Sequence, residues 1–156
     1  DCAADVLARR RAVLGDANPE TEDSRALLES LSPAPDRSWL LARFEHYRNQ
    51  GPDQVARSMR FAWVLASSAG DSEDLERLAT LAVRLRQDQG EQSLRAAQTE
   101  LKLAQLAVQL DRIDVAGAAL ARGQAVLEAE LAPQAPQRAL LDQLKAAITA
   151  NAARSP

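Results

Sequence analysis

The residue types that most often carry enzyme chemistry are sparse in this sequence. His46 is the single histidine and Cys2 the single cysteine, which excludes a zinc site built from cysteine and histidine ligands. A hydrolase would need His46 as its general base, but Glu45 and Tyr47 belong to the same predicted helix, and no strand-to-helix serine turn is present to meet it. We therefore expect His46 to be a half-exposed helix residue and the chain not to be an enzyme.

Paired carboxylates and glycines give no catalytic signature either. Asp71 and Asp74, like Glu128 and Glu130, fall at predicted helix ends, where the helix dipole or solvent accounts for them. The six glycines are dispersed, and none forms a phosphate-binding loop or a dinucleotide fingerprint. The sequence therefore predicts no cofactor and no metal.

The charge of the chain argues against nucleic acid as a partner. The formal net charge is -3 and 26% of the residues are charged, whereas binding to a phosphate backbone needs a clustered cationic excess. Arg9, Arg10 and Arg11 form the densest basic run, and we expect them to be a solvated helix face. No apolar run approaches the roughly 20 residues that span a bilayer, so we expect no membrane insertion and a soluble chain, with the choice between cytoplasm and periplasm open.

The aromatic residues are concentrated in one region. All five lie within 25 residues of one another: Trp39, Phe44, Tyr47, Phe61 and Trp63. Their helical spacing fits two core stripes on consecutive helices. A second interpretation stays open, in which some of these side chains face a ligand groove or a partner.

Helix formers and regular breaks define the elements that position these residues. The breaks include Asn18-Pro19, Gly51-Pro52, Gly70 and Gly90. They predict eight helices with short connections, over residues 3–14, 19–31, 36–50, 53–69, 72–89, 91–109, 112–131 and 134–152. We expect more than about two-thirds of the chain to be helical. A two-helix unit that recurs at this interval is typical of stacked helical hairpins.

One stretch of the chain resembles the tetratricopeptide repeat (TPR). Ala104 is followed at 12 residues by Ala116, at 16 by Leu120 and at 19 by Gly123, and Leu103 occupies the large apolar position before the first small one. Small residues at these positions predict a close backbone crossing between two helices. The resemblance implies a right-handed superhelix, an α-solenoid of about four antiparallel hairpins.

A second segment, residues 9–21, resembles the hairpin junction of the longer repeats found in kinesin light chains and in helical tails of bacterial regulators and kinases. There a basic helix ends in leucine-glycine, and a proline-acidic-threonine turn opens the next helix. We therefore predict one TPR-like domain over residues 1–156 that is part of a longer chain.

The resemblance also implies which residues line a concave binding face. The positions that it selects on two equivalent helices, with a neighbouring cation on each, are Met59, Arg60, Trp63, Gln98, Leu101, Lys102 and Gln105. A protein or peptide partner, acidic and with an apolar anchor, would suit two cations beside an apolar floor. The expected function is non-enzymatic protein or peptide recognition, as the interaction or sensory part of a larger bacterial regulator.

The competing interpretation is a structural module that associates with itself. The first predicted helix carries several apolar residues beside its arginines: Cys2, Val6, Leu7, Val13 and Leu14. Such a helix would pack on another copy or on another part of a larger complex, because the ends of a solenoid need polar caps.

Overall fold

The part of the chain that the computed structural model describes, residues 2–69 and 71–153, is all-α, 82% helical and without strands. Its eight helices are α1 (Cys2–Leu14), α2 (Pro19–Ser30), α3 (Arg37–Arg48), α4 (Pro52–Ala69), α5 (Ser72–Gln89), α6 (Leu94–Gln109), α7 (Ile113–Glu130) and α8 (Pro136–Ala152). The predicted all-α class and the predicted helical content are confirmed. Among the described helices, none combines the length and the apolar character that crossing a membrane requires.

The helix boundaries follow from side-chain caps. Asn18 accepts a hydrogen bond from the backbone of Glu20 at 3.0 Å and so begins α2. Helix α6 begins at Leu94 rather than at the predicted residue 91, because the Ser93 hydroxyl caps the helix there by accepting from the Ala96 backbone at 3.3 Å. Gly70, one of the predicted breaks, lies outside the described residues.

The connection between α6 and α7 turns through a residue with left-handed backbone. Asp111 has φ 57°, and the Arg112 backbone N–H donates to the Ala107 carbonyl at 2.8 Å while that of Asp111 donates to Val108 at 3.1 Å. This pair of bonds is the Schellman motif, which ends a helix and satisfies its last carbonyl groups. The predicted break at residues 110–112 is therefore confirmed.

The chain divides into two compact units, Asp1–Leu75 and Glu76–Pro156. In the first unit, α1 packs against α2, α3 packs against α4, and α2 also packs against α4. The interior of this unit contains fully or almost fully buried side chains from α3 and α4: Leu40, Phe44, Val55, Phe61 and Leu65. The single domain predicted over residues 1–156 stays a prediction.

In the second unit, α6 packs against α7, α7 packs against α8, and α6 also packs against α8. Packing between neighbouring helices of this kind occurs in stacked helical repeats. The buried residues of this unit include Leu101, Leu103, Leu127 and Leu141. The packing is compatible with a helical repeat.

Helices α6 and α7 approach each other closely at Gly123. A Cβ atom placed on Gly123 would lie 3.1 Å from the Ala97 carbonyl oxygen and 3.2 Å from the Glu100 Cβ. Ala116, on the same helix, is completely buried. The close crossing that the sequence predicts at these small residues is present, and it explains why α7 contains a glycine that costs about 1 kcal/mol relative to alanine in a helix interior.

We expect Gly123→Leu and Ala116→Leu each to lower the free energy of unfolding by about 1–3 kcal/mol, because a larger side chain there must displace backbone or packed side chains. Ala121→Leu is the matched control, since Ala121 is exposed on the same helix and leucine is as good a helix former as most. Urea unfolding followed by circular dichroism measures the three values. Equal stability of all three variants would contradict the packing described here.

Candidate functional site

A buried carboxylate joins α2 to α3 in the first unit. Glu22 is 4% exposed. One of its oxygens accepts a hydrogen bond from the Tyr47 hydroxyl at 2.6 Å, and the other accepts from an Nη of Arg43 at 2.7 Å. A buried carboxylate with a guanidinium and a hydroxyl on separate oxygens has its charge compensated and its orientation fixed.

The helical period brings the residues of α3 to this carboxylate. Trp39, Arg43 and Tyr47 follow one another at intervals of four, so they form one stripe along the helix. Asp36 begins α3 by accepting from the Trp39 backbone at 3.1 Å, which sets the register of that stripe. Arginine thus stands between two aromatic rings on the side of α3 that meets Glu22.

The indole of Trp39 is held from two sides. The Arg25 guanidinium lies 4.1 Å from its ring centroid, a cation–π contact, and Phe61 meets it edge-on with the centroids 5.6 Å apart. Arg25 in turn pairs with Asp36 at 2.8 Å and with Glu29 at 3.5 Å. Phe61 and Arg25 therefore restrict the orientation of the Trp39 ring, and the two carboxylates restrict the position of the Arg25 guanidinium.

These side chains form the wall of a cavity of about 300 Å³ between α1, α2 and α3, which we call the arginine pocket. Its lining residues are Leu7, Arg11, Asp16, Ala17, Thr21, Glu22, Arg25, Trp39 and Arg43. Three guanidinium groups, an indole and a leucine thus share one concave surface. A cavity of this size lies at the lower end of the range for small-molecule sites.

Two polar atoms beside the pocket have no hydrogen-bond partner within the described part of the chain. They are the hydroxyl oxygen of Thr21, a residue that is 2% exposed, and the Nε of Arg43. Buried polar groups in folded proteins are nearly always paired, and an unpaired one marks strain, a functional role or a bound water or ion. Both atoms have almost no accessible surface, so they lie behind the pocket wall rather than on it.

No protein family model, curated protein or solved structure matches this chain. Across residues 2–69 and 71–153, no group of three or more histidine, cysteine, aspartate or glutamate side chains is arranged to hold a metal ion.

The binding residues predicted on α4 lie in the first unit. Met59 is buried, Trp63 is half-buried, and Arg60 is exposed and pairs with Asp23 of α2 at 2.9 Å. Arg57 contacts the same carboxylate at 3.3 Å. The structure brings Met59, Arg60 and Trp63 together on one helix, and their role as ligand contacts stays a prediction.

The binding residues predicted on α6 lie in the second unit. Leu101 is buried, Gln98 and Gln105 are half-buried, and Lys102 is exposed. The expected groove combines these residues with those of α4, and each unit by itself contains only half of it. The groove therefore also stays a prediction.

Only part of the arginine pocket is predictable from the sequence. Trp39 belongs to the aromatic cluster, and Arg11 belongs to the basic run that we expect to be a solvated face. In the structure Arg11 is exposed, and it also lines the pocket and pairs with Asp16, while the neighbouring Arg10 donates to the Ser24 hydroxyl at 2.9 Å. The position of Arg43 between two aromatic residues of one helical stripe is a sequence signal that could have indicated its place in the pocket. Glu22 has no such local signal, because its partners lie more than 20 residues away in the sequence.

The environment of Tyr47 predicts an observable titration. Burial raises the pKa of its hydroxyl from 10.0 to about 12, and the hydrogen bond and the negative charge of Glu22 act in the same direction, against the nearby Arg57 and Arg43. A pKa raised by folding stabilises the protein fully below pH 10, and this contribution is lost as the pH rises towards 12.

Because Tyr47 is the single tyrosine, ultraviolet absorbance of tyrosinate reports on it alone. We expect a midpoint near pH 12 in the folded protein and near 10 after unfolding in urea. The Tyr47→Phe variant is the control for stability, since its unfolding free energy should change less between pH 10 and pH 12. A midpoint near 10 in the folded protein would contradict the buried hydrogen bond to Glu22.

Proposed function

We propose that this protein is a non-enzymatic recognition module that binds a protein or peptide ligand. The observation that carries the proposal is the arginine pocket, in which three guanidinium groups and an indole line a cavity of about 300 Å³. Arginine and tryptophan are the residue types that contribute most to binding energy in protein interfaces. The pocket accommodates one side chain or one chain end of a ligand.

Preorganisation supports a binding role for these residues. The guanidinium groups of Arg25 and Arg43 each have a carboxylate partner within the protein and are mostly buried. Groups that are already positioned lose little conformational entropy on binding, and this raises affinity. We propose that the module serves as the interaction or sensory part of a larger bacterial regulator.

The finer description of the fold belongs to the same proposal. We propose a TPR-like α-solenoid of about four hairpins, supported by the close crossing at Gly123 and by the packing of α6 on both α7 and α8. In such a fold the concave residues Met59, Arg60, Trp63, Gln98, Leu101, Lys102 and Gln105 would form a second ligand surface.

Self-association is the second candidate function, and exposed apolar side chains favour it. Five large hydrophobic residues of α1 and α2 or their ends are exposed: Val6, Val13, Leu14, Leu27 and Leu31. Sedimentation velocity over a tenfold range of concentration separates the two candidates. A monomer at all concentrations supports recognition, whereas a dimer that Val13→Glu abolishes supports self-assembly.

To test recognition, a displayed library of random 12-residue peptides is selected on the immobilised protein. We expect a converging set of peptides whose affinity falls at least about tenfold in Arg11→Gln, since a charged hydrogen bond contributes about 1.5–3 kcal/mol. Arg9→Gln is the matched control, because Arg9 is an exposed arginine of the same helix outside the pocket. If no peptide sequence is enriched by the selection, the proposal is refuted.

The same peptides test the predicted groove. If it binds the ligand, Arg60→Glu with Lys102→Glu should slow association at low salt, because rim charges act mainly on association rates, and Trp63→Ala should speed dissociation. Loss of affinity in Arg11→Gln with no effect of the charge reversals assigns binding to the arginine pocket. The opposite pattern assigns it to the groove.

A further inference from the structure

We propose that α1 pairs with α1 of a second copy of this chain in antiparallel orientation, around a two-fold axis between Val6 and Arg9. The inference rests on self-association, the second candidate function, and it names the surface and the geometry of that association. It does not involve the arginine pocket. Leu7 and Arg11 line that pocket, and the helical period places them on the opposite side of α1 from the pairing surface.

The pairing surface is a stripe of α1 that meets solvent, which we call the α1 seam: Cys2, Val6, Arg9 and Val13. These residues are spaced by four, three and four positions, which is the spacing with which two helices pack side by side. All four are exposed, Val6 at 39% and Val13 at 81%. Burial of exposed valine side chains is favourable, so the α1 seam favours association with another apolar helix face.

The charges of α1 favour a second copy as the partner. Asp5 and Arg9 are exposed, and neither has an ion pair or a side-chain hydrogen bond within the described part of the chain. A strongly acidic or a strongly basic partner would place a like charge against one of them. In a pair of identical helices, each Asp5 meets Arg9 of the other copy, so both charges are matched. The surface is thus self-complementary, as a two-fold interface requires.

The position of Arg9 within the α1 seam decides between parallel and antiparallel pairing. In a parallel pair in register, Arg9 would face Arg9 of the other copy, and such like-charge contacts are destabilising. An antiparallel pair with its axis between Val6 and Arg9 instead sets Arg9 opposite Val6 and beside Asp5. It also sets Cys2 opposite Val13. One charged residue in an apolar seam therefore determines both orientation and register, as polar residues do in other helix pairs.

Disulfide formation tests this geometry, with dissolved oxygen and a copper phenanthroline catalyst as the oxidant. Val13→Cys should form a disulfide-linked dimer, because the introduced thiol lies opposite Cys2 of the other copy. The unaltered chain should not, since the two Cys2 residues are separated along the helix axis by about 16 Å, whereas a disulfide needs Cα atoms within about 7 Å.

Val13→Cys combined with Cys2→Ser is the matched control for that experiment. Its two thiols are again separated by about 16 Å along the axis, so it should stay unlinked, and it shows that random collisions do not produce the disulfide. A disulfide-linked dimer of the unaltered chain would indicate parallel pairing and overturn the inference. Absence of the disulfide in Val13→Cys would overturn it as well.

Charge exchange tests the pairing of Asp5 with Arg9. Asp5→Arg alone and Arg9→Asp alone should each raise the dissociation constant of the dimer about tenfold, because each variant places like charges together at two symmetric contacts. The combined variant restores opposite charges, so its dissociation constant should return to within about twofold of the original. Sedimentation equilibrium measures the constants, and circular dichroism confirms that each variant is folded.

Arg95→Asp is the control for net charge, because Arg95 is an exposed arginine of α6 in the second unit and its substitution changes the charge of the chain by the same amount as Arg9→Asp. It should leave the dissociation constant unchanged. A combined Asp5 and Arg9 variant that associates as weakly as the single variants would overturn the inference.

The outcomes separate this inference from the functions on which the chain could act. A monomer at every concentration overturns both the inference and self-association. A dimer that shows neither the disulfide of Val13→Cys nor the effect of charge exchange overturns the inference and leaves self-association through another surface standing. Recognition is decided separately by the peptide selection, since the arginine pocket lies on the other side of α1.

Discussion

The contact between α2 and α3 in the first unit depends on the burial of the Glu22 carboxylate. Moving a charged group out of water costs several kcal/mol, and the cost is offset only when a partner of opposite charge and further hydrogen bonds are in place. Glu22 obtains both from α3, through Arg43 and Tyr47. The position of α3 on α2 is therefore constrained by donors that must reach two oxygens of a single side chain.

The second unit also contains a buried carboxylate that pairs with an arginine of a neighbouring helix. Glu100 of α6 is completely buried and receives two parallel hydrogen bonds from Arg122 of α7, at 2.7 and 2.8 Å. The next residue along α7 is Gly123, whose missing side chain lets the backbones approach. Charge pairing and close packing thus determine one register between the two helices. A shift of α7 along α6 would break the two hydrogen bonds from Arg122 to Glu100 and move Gly123 away from Ala97.

The arginine pocket follows from the way the first unit meets these electrostatic demands. Long side chains from α2 and α3, rather than small apolar ones, occupy the space around Glu22, and long side chains leave a cavity with charged walls. Arg25 is restrained by Trp39 and Asp36, and Arg43 by Glu22. The same contacts that stabilise the unit therefore also hold in place Arg25, Trp39 and Arg43 of the pocket wall.

The sequence by itself determined the helices, because their signals are local. A proline after Asn18 and a break at residues 110–112 act within a few residues of the backbone that they shape, and both are found in the structure. The small residues of α7 likewise predicted a close crossing, since a glycine inside a helix lowers the stability of the helix unless close packing compensates for it. The start of α6 was misplaced because Ser93, rather than the preceding glycine, supplies the cap.

Only the tertiary structure decided which charges are buried together. Glu22 reaches Arg43 and Tyr47 across 21 and 25 residues, and Arg37 reaches the buried Asp74 at 2.7 Å across an even longer separation. A glutamate or an aspartate on a helix has the same local pattern whether it meets solvent or an arginine from another helix. Pairing of this kind depends on the packing of whole helices, and for this reason the arginine pocket emerges only when α1, α2 and α3 are assembled.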